Sequence, residues 1–191
     1  KIQLAFPLFA KQISKGTAKE IDSGSVINSK NELENVCKLL LEKFNQPVLV
    51  EEYLPGREFT VGVLGTAENA YVPGAMEIVY KSGNKNEIYS YNTKENFEDL
   101  VEYLPVKGEM LNQCKNVALG AWKALNCFDG GRVDVKMDKN GKMAFIEVNP
   151  LAGLNPEISD LPILCKLNGV NYQKIISEIL KSAISRNFTH E

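Results

Sequence analysis

The chain has 191 residues, of which 44% are hydrophobic and 24% charged, a balance typical of a soluble globular protein and unlike that of a disordered or collagenous chain. Its 22 Lys and Arg residues against 24 Asp and Glu residues give a net charge of -2. We expect no nucleic-acid partner, because such binding requires a basic surface. We expect no membrane partner either, since no apolar run reaches the roughly 18 residues that a membrane span needs.

The positions of the cysteines and of the histidine limit the kinds of catalytic and metal sites that the chain can contain. Four cysteines lie far apart in the sequence, three of them inside apolar patterns, and none forms a C-x-x-C pair. We therefore expect reduced, buried thiols and a cytoplasmic location, because oxidising compartments favour disulfide frameworks. The single histidine, His190, is next to the last residue, which argues against a catalytic histidine or a histidine-ligated zinc ion.

The beginning of the sequence is unusual for a natural start. The first residue is Lys1, and the strongly apolar residues 4–10 follow with neither a helix cap nor a signal peptide before them. We interpret the chain as a fragment or an excised domain. A missing N-terminal part would then hold a share of any active site.

The first half of the chain alternates strand-like and helical patterns. In order, the predicted elements are a strand at residues 4–10, a helix to about residue 44, a strand at 47–54, a turn at 55–56 and a strand at 58–64. The helix begins at a capping box, in which Ser29 is followed three residues later by Glu32. We expect the last two strands to pair as a hairpin across the Pro55-Gly56 turn.

The second half continues the same mixture. In order, we predict a helix at residues 109–126, a strand at 132–137, a turn at 138–141, a strand at 142–148 and helices near 161–167 and 172–185. The Asn140-Gly141 pair in the turn is the strongest short signal for a hairpin. Because hairpins and helices are interleaved, we predict an α+β fold with mainly antiparallel sheets.

The second hairpin carries the clearest chemical pattern. If Lys139 and Asn140 form a two-residue turn, Arg132 lies opposite Glu147. Asp134 then lies diagonal to Glu147, roughly 7–8 Å away at the backbone. Side chains alternate along a strand, so one face is polar and the other faces the core. The polar face would contain Arg132, Asp134, Lys136, Phe145, Glu147 and Asn149. The core face would contain Val133, Val135, Met137, Ala144, Ile146 and Val148.

Three of these polar side chains form an all-oxygen ligand set. Asp134, Glu147 and Asn149 offer two carboxylates and an amide oxygen, the ligands that Mg²⁺ prefers, with phosphate oxygens as further ligands. Arg132 beside them would stabilise a developing negative charge. The alternative is a surface cluster of an arginine with carboxylates, which contributes about 0–1 kcal/mol. A purely structural domain would instead direct the three ligand side chains apart.

Two weaker patterns lie nearer the start of the chain. Residues 11–19 combine lysines with Gly16 and Thr17, so their ammonium, hydroxyl and backbone N–H groups could hold phosphates, although no P-loop or G-x-G-x-x-G motif is present. Residues 51–54 end a strand whose edge could pair with a nucleobase, and Glu58 after the turn could bind ribose hydroxyls. A solvated loop and a pair of exposed acidic residues are the respective alternatives.

Taken in order, these motifs resemble the C-terminal part of an ATP-grasp enzyme, in particular the D-alanine–D-alanine ligase family. The resemblance extends from about Phe6 to Arg186. The most specific strings are V-L-V-E-E-Y-L-P-G-R-E-F-T-V at residues 48–61 and the pair R-V-D at 132–134 and E-V-N at 147–149.

The resemblance implies a role for each matching residue. Lys11 would contact the phosphates and the adenine edge, residues 16–18 would close over the phosphates, residues 51–54 would line the adenine pocket, and Glu58 would bind the ribose. Lys94 would reach the terminal phosphates. The implied nucleotide-binding residues are Lys11, Gly16, Thr17, Ala18, Glu51, Glu52, Tyr53, Leu54, Glu58 and Lys94.

The remaining implied roles concern the metal and the acyl transfer. Asp134, Glu147 and Asn149 would hold two Mg²⁺ ions, for which Mn²⁺ could substitute. Arg132 and the backbone at Gly153 would stabilise the tetrahedral intermediate, and Ser159 would bind the acceptor carboxylate. The family's usual N-T-x-P-G string is here N-P-L-A-G at residues 149–153, a difference on the side of the amino-acid substrates.

The family also implies an architecture and a reaction. We expect a smaller nucleotide-clamping subdomain at about residues 1–55, a larger metal-binding subdomain at about 56–191, the nucleotide between them, and a missing N-terminal substrate domain. ATP would phosphorylate a carboxylate, and an amine of a small amino acid or peptide would attack the acyl phosphate, giving an amide, ADP and phosphate. A homodimer through the missing or present domain is left open. The alternatives are the ATP-binding module of another peptide or amino-acid ligase and a non-catalytic nucleotide-binding fragment.

Overall fold

The computed structural model describes residues 4–13, 26–81 and 101–188. Over these residues the fold is α+β, as predicted. The elements, in chain order, are β1 (Leu8–Gln12), β2 (Val26–Ile27), α1 (Lys30–Phe44), β3 (Val48–Glu52), β4 (Glu58–Leu64), a 3-10 turn (Ala67–Asn69), β5 (Ala75–Tyr80), β6 (Val101–Pro105), α2 (Gly108–Ala124), β7 (Gly130–Met137), β8 (Met143–Asn149), α3 (Asp160–Leu167) and α4 (Tyr172–Phe188). In the described part of the chain, no helix has the length and apolar character of a membrane span.

The described residues divide into two compact units. The first contains residues up to 55 together with those of 80–102, and the second contains 56–79 and the residues from 103 onward. In the first unit, β1 lies between β2 and β3, and both pairings are antiparallel. Helix α1 covers one face of this sheet, where Leu33 packs with Leu8, Ala10 and Ile27.

Helix α1 begins as the capping box predicts. The Ser29 hydroxyl accepts a hydrogen bond from the Glu32 backbone N–H at 3.3 Å, which satisfies one of the first N–H groups of the helix. The Glu32 carboxylate accepts in return from the Asn28 N–H at 2.8 Å. The reciprocal bond of this box therefore reaches one residue before the capping residue. The helix ends at Phe44 and is followed by the capping residue Asn45, which has a left-handed backbone and whose N–H donates to the Leu41 carbonyl oxygen.

The second unit is built on a five-stranded sheet with the strand order β6-β5-β4-β7-β8. Every pairing with a described register in this sheet is antiparallel. Strand β4 is central, and all its residues after Glu58 are buried. Because β4 is covered on both faces, it has a continuous apolar run and no simple alternation of apolar and polar residues.

The two faces of this sheet are covered by different helices. On one face, Trp122 and Ala118 of α2 pack on Phe59 and Val133. On the other face, Leu161 and Leu164 of α3 and Ile175 of α4 pack on Leu64 and Met76. Gly62 permits the close approach of α3, since a Cβ there would lie 2.7 Å from Leu164 Cδ1. These contacts hold α3 at a fixed place beside the middle of the sheet.

The predicted hairpin across Pro55-Gly56 is wrong. Strand β3 pairs with β1 in the first unit, whereas β4 pairs with β5 and β7 in the second. The Pro55-Gly56 step is the point at which the chain passes from one unit to the other. Gly56 is required here, because its N–H donates to Met137 O at 3.0 Å and an added Cβ would lie 2.5 Å from Met137 Cβ.

The four cysteines are free, as the prediction of reduced thiols requires. Cys114, Cys127 and Cys165 are buried, and burial raises the pKa of Cys114 to about 11 and that of Cys165 to about 12. Cys37 is only half-buried, so the expectation of four buried thiols is met at three positions. Such raised pKa values keep the buried thiols protonated and unreactive at neutral pH.

Candidate functional site

The structure brings Asp134, Glu147 and Asn149 together on one face of the five-stranded sheet. Asp134 on β7 lies directly opposite Glu147 on β8, and Arg132 lies opposite Asn149. The Asn149 amide nitrogen is 3.3 Å from Asp134 Oδ2 and 3.2 Å from Glu147 Oε1. The side chains that the sequence suggested as cation ligands thus converge, which the purely structural alternative does not predict.

The predicted strand register, however, was wrong. The turn has three residues, because Asp138 N–H donates to Lys142 O and Gly141 takes a positive φ of 79°. Asp138 stabilises this turn by accepting bonds from the Asn140 and Lys142 N–H groups, each at 2.8 Å. Met137 therefore pairs with Met143, and both are buried in the core.

A β-bulge restores the polar pairing further along the strands. Val135 pairs with Phe145, but Asp134 pairs with Glu147, so Ile146 is an extra residue in β8. An extra residue reverses which side chains face the core. Glu147 and Asn149 consequently reach the polar face as predicted. Phe145 lies opposite Val135 and not Asp134, and Ala144 lies opposite Lys136, both against the prediction.

Asp134 is the electrostatic centre of this face. Thr60 on β4 donates to Asp134 Oδ1 at 2.9 Å, and Arg132 Nη2 lies 3.4 Å from Oδ2. The pKa of Asp134 is raised to about 6, mainly by burial and also by the nearby Glu147 charge, while Arg132 and the Thr60 hydrogen bond act in the opposite direction. The site thus holds a carboxyl group whose ionised form is not fully compensated by the neighbouring side chains.

Glu58 and Lys136 extend the same face. They are directly opposite on β4 and β7, and their side chains form an ion pair at 2.9 Å. Glu58, predicted to bind ribose, thus belongs to the second unit with the carboxylates. The residues predicted for the adenine pocket lie in the first unit.

Arg132 is held from the opposite side by the start of α3. Its Nη1 donates to a carboxylate oxygen of Asp160, the first residue of that helix. The side chains of Arg132 and Asp160 are only 14% and 15% exposed. Arg132 Nε is buried and has no hydrogen-bond partner among the described residues. The guanidinium thus lies between two carboxylates, at one edge of the polar face.

Gly153 and Ser159 are close neighbours in the loop that links β8 to α3. A Cβ at Gly153 would lie 2.5 Å from Ser159 Oγ, so a larger residue here would require the Ser159 side chain to move. Ser159 Oγ also accepts a hydrogen bond from the Asn155 N–H at 3.1 Å. The same loop exposes an apolar side chain, Leu151, at 97%.

The predicted nucleotide residues of the first unit lie on neighbouring strands. Lys11 on β1 forms an ion pair with Glu51 on β3, with Nζ 2.7 Å from Oε2. Glu52 is the last residue of β3 and is exposed, whereas Tyr53 and Leu54 are half-buried. Gly16, Thr17, Ala18 and Lys94 lie outside the described residues, as does His190.

The polar face has the chemistry of a divalent-cation site. When all its side chains are ionised, this face has an excess of two negative charges. It holds four carboxylates, those of Glu58, Asp134, Glu147 and Asp160, and two cations, Arg132 and Lys136. Rotation of the Asn149 amide would turn its oxygen toward the position where its nitrogen now bridges two carboxylates. No cluster of three acidic, cysteine or histidine side chains suited to a metal occurs in the described residues. A third oxygen ligand on this face would therefore have to come from an amide such as that of Asn149.

Two neighbours of the site were missed by the sequence analysis. Thr60 could have been found, because it follows Glu58 at the spacing of two that places strand residues on one face. Asp160 could not, since it is 28 residues from Arg132 along the chain and only the packing of α3 on the sheet brings the two together.

Solved structures share this arrangement of sheets and helices. A D-alanine–D-alanine ligase from Bacillus anthracis complexed with ATP is 23% identical, with a TM-score of 0.70 over 95% of this chain and 53% of its own. The VanG D-Ala:D-Ser ligase from Enterococcus faecalis is 25% identical, with a TM-score of 0.70 over 94% of this chain and 50% of its own. The fold is that of the ATP-grasp proteins.

Sequence comparison then gives the family. Residues 1–181 match the family model described as D-ala D-ala ligase C-terminus. The D-alanine–D-alanine ligase of Clostridium acetobutylicum is 34% identical over 191 residues, 97% of this chain and 52% of the relative. That of Aquifex aeolicus is 32% identical over 176 residues, 92% of this chain and 56% of the relative. The chain belongs to the D-alanine–D-alanine ligase family, and it spans about half the length of the curated relatives it matches.

Proposed function

We propose that the chain is the nucleotide- and metal-binding part of an ATP-dependent carboxylate–amine ligase that forms a dipeptide or amide and releases ADP and phosphate. The observation that carries this proposal is the convergence of Asp134, Glu147 and Asn149 beside Arg132. Membership of the ligase family supplies the reaction class. Four free cysteines are consistent with work in the cytoplasm.

The polar face of β7 and β8, here called the carboxylate face, is the proposed metal site. Asp134 and Glu147, with the amide oxygen of Asn149, would hold Mg²⁺, or Mn²⁺ in its place. When bound, the metal would neutralise phosphate charge and orient the phosphates for transfer. Thr60 fixes the Asp134 carboxylate by its hydrogen bond, so one ligand is preorganised. Arg132 places a positive charge beside the ligands, where it would stabilise negative charge on the reacting group.

The nucleotide contacts are proposed for the following residues. Lys11 would bind phosphate and the adenine edge, and its present partner Glu51 at 2.7 Å would line the adenine pocket with residues 52–54. Glu58, now paired with Lys136, would bind the ribose. Residues 16–18 and Lys94 complete the proposed set.

The acceptor side is assigned to the loop before α3. The backbone N–H at Gly153 and the Arg132 guanidinium would together stabilise the negatively charged oxygen of the tetrahedral intermediate. Ser159 would bind the acceptor carboxylate. The close approach of Gly153 to Ser159 supports a common subsite. The acceptor itself is either D-alanine or another small amino acid or peptide. The exposed Leu151 between Asn149 and Gly153 and the likeness to a D-Ala:D-Ser ligase favour screening more than one acceptor.

The direct test is product formation by the full-length protein. The protein is incubated with MgATP and D-alanine, with D-serine as a second acceptor, and ADP, phosphate and dipeptide are measured. We expect ADP and dipeptide in equal amounts. Binding of MgATP without ADP release under any acceptor would identify a non-catalytic nucleotide-binding module instead. A dipeptide with D-serine alone would identify a ligase of different acceptor specificity.

A further inference from the structure

We infer that Asp160 is a positioning residue that acts through Arg132. It keeps the Arg132 guanidinium beside the carboxylate face, but directed away from the position of the divalent cation. This inference rests on the proposed function, because it concerns the cation that Asp134 and Glu147 are proposed to hold.

The Arg132 guanidinium has two carboxylate neighbours, and its contacts with them differ. Nη1 donates to Asp160, Nη2 lies 3.4 Å from Asp134 Oδ2, and Nε is buried without a partner among the described residues. The contact with Asp134 is longer than a strong charge-assisted hydrogen bond, which is typically about 2.7–2.9 Å. Among the described residues, Asp160 is therefore the principal counter-ion of the guanidinium.

A bound cation would make this dependence greater. The Asp134 carboxylate would then bind the metal, and Arg132 would be left with Asp160 as its carboxylate partner. A guanidinium and a divalent cation also repel each other in a site of low dielectric. Asp160 supplies the negative charge that allows both to occupy one face. Without Asp160, Arg132 would compete with the cation for Asp134.

Asp160 is well placed to act as a fixed counter-ion. It is the first residue of α3, where the helix dipole favours a negative side chain. The following turn is anchored, since Leu161 and Leu164 are fully buried against the sheet at Gly62. The carboxylate is thus carried on an element that has little freedom to follow Arg132 if the guanidinium moves.

The test is the affinity for Mn²⁺ alone, measured by the loss of the electron paramagnetic resonance signal of free Mn²⁺. Asp160→Asn should weaken binding about tenfold, the lower range for loss of an outer-shell partner. Glu109→Gln is the matched control, because it removes an exposed acidic side chain from the first turn of another helix. It should leave the dissociation constant unchanged, and Asp160→Glu should restore most of the affinity.

A second pair of variants separates positioning from a direct electrostatic effect. In an Arg132→Met background, Asp160→Asn should change the Mn²⁺ dissociation constant by less than about threefold, since the residue through which it acts is gone. A repeated tenfold loss in that background would overturn the inference. Fluorescence of the single tryptophan, Trp122, reports whether each variant is folded, because this side chain is fully buried in the same unit.

The possible failures are distinguishable. If the unaltered protein does not bind Mn²⁺ at all, the proposed metal site is wrong, and the role of Asp160 falls with it. If the unaltered protein and the folded Asp160→Asn variant bind Mn²⁺ equally, the metal site stands and only the positioning role is wrong.

Discussion

Glu147 lies directly opposite Asp134, and the two carboxylates share a hydrogen-bond donor in the Asn149 amide. Like charges opposite each other on a sheet are destabilising. Glu147→Gln should therefore leave the cation-free protein as stable as before, or more stable by up to about 1 kcal/mol. The same change should abolish most of the stabilisation by Mg²⁺, because a cation ligand is lost.

Thermal unfolding with and without Mg²⁺ measures both effects of Glu147→Gln. Glu109→Gln, on the exposed first turn of α2, controls for the change in net charge and should alter neither midpoint. An unchanged response to Mg²⁺ in the Glu147→Gln protein would remove this residue from the metal site. A loss of stability without Mg²⁺ would show that its role in the sheet is structural.

The side chain of Asp129, just before β7, links α4 to the residue that precedes the 3-10 turn. Its carboxylate accepts hydrogen bonds from Ser182 at 2.9 Å and Arg186 at 2.8 Å, and a weaker one from Thr66. Burial raises the pKa of Asp129, but the bonds from Arg186 and Ser182 outweigh it, so the pKa is lowered overall. The folded protein therefore binds fewer protons at this carboxyl than the unfolded chain does.

The lowered pKa of Asp129 fixes the direction of its effect on stability. The stabilisation by the ionised Asp129 is fully present above the pKa of an unfolded aspartate, about 4. It is lost as the pH falls through the lower pKa of Asp129 in the folded protein. Asp129→Asn should cost about 1 kcal/mol at pH 7. Asparagine tolerates the backbone φ of 65°, so strain is not altered. Urea unfolding at pH 7 and pH 3, followed by Trp122 fluorescence, should show a larger deficit at pH 7 than at pH 3. An equal deficit at both values would contradict the assignment.

At the scale of elements, the site depends on how closely β7, β8 and α2 pack. Gly131 on β7 has no space for a side chain, since a Cβ would lie 2.5 Å from the Asn149 carbonyl oxygen and 2.8 Å from Trp122 Cη2. Gly131→Ala should destabilise the protein by about 1–3 kcal/mol. It should also weaken Mg²⁺ binding, because the displaced backbone carries Asn149.

A second glycine provides the control for this substitution. Gly120 lies within α2, and a Cβ there would meet nothing within 4 Å. Gly120→Ala should stabilise the protein by about 0.5–1 kcal/mol, the usual advantage of alanine in a helix interior. Denaturant unfolding of both variants tests the pair, and a neutral Gly131→Ala variant would show that β7 and β8 can separate without loss.

The β7–β8 hairpin shows how far the sequence could predict the site. Alternation of side chains correctly placed Asp134 and Glu147 on one face, because both lie beyond the bulge at Ile146. The same reasoning misplaced Phe145, which lies before it. A bulge leaves no trace in the alternating pattern itself. The three-residue turn was also missed, since Asn140-Gly141 fits both a two-residue turn and a longer one.

The error at Pro55-Gly56 has a different physical origin. Two strands joined by a short turn usually pair with each other, but here β3 and β4 belong to different sheets. The buried run of β4 was a sign of this, because a central strand covered on both faces has a continuous apolar pattern. Partner choice between strands depends on the whole sheet, so local patterns predict the strands more reliably than their pairing.

At the scale of the whole molecule, the chain supplies about half the length of its ligase relatives. Its second unit contains a complete core on both faces of the sheet and every proposed metal ligand. We therefore expect cation and nucleotide binding to be measurable on the chain itself. Formation of a dipeptide is a separate part of the proposed function and has its own test.

The measurement that tests this account most directly is thermal unfolding of the chain with ATP in the presence of either Mg²⁺ or a chelator. A ligand at 100 times its dissociation constant stabilises the folded state by about 2.7 kcal/mol, which corresponds to a rise of roughly 5–10 °C for a chain of this size. We predict that rise with Mg²⁺ and ATP together, and little or none with ATP and chelator. Equal midpoints under the two conditions, with ATP in the millimolar range, would contradict the proposed carboxylate site.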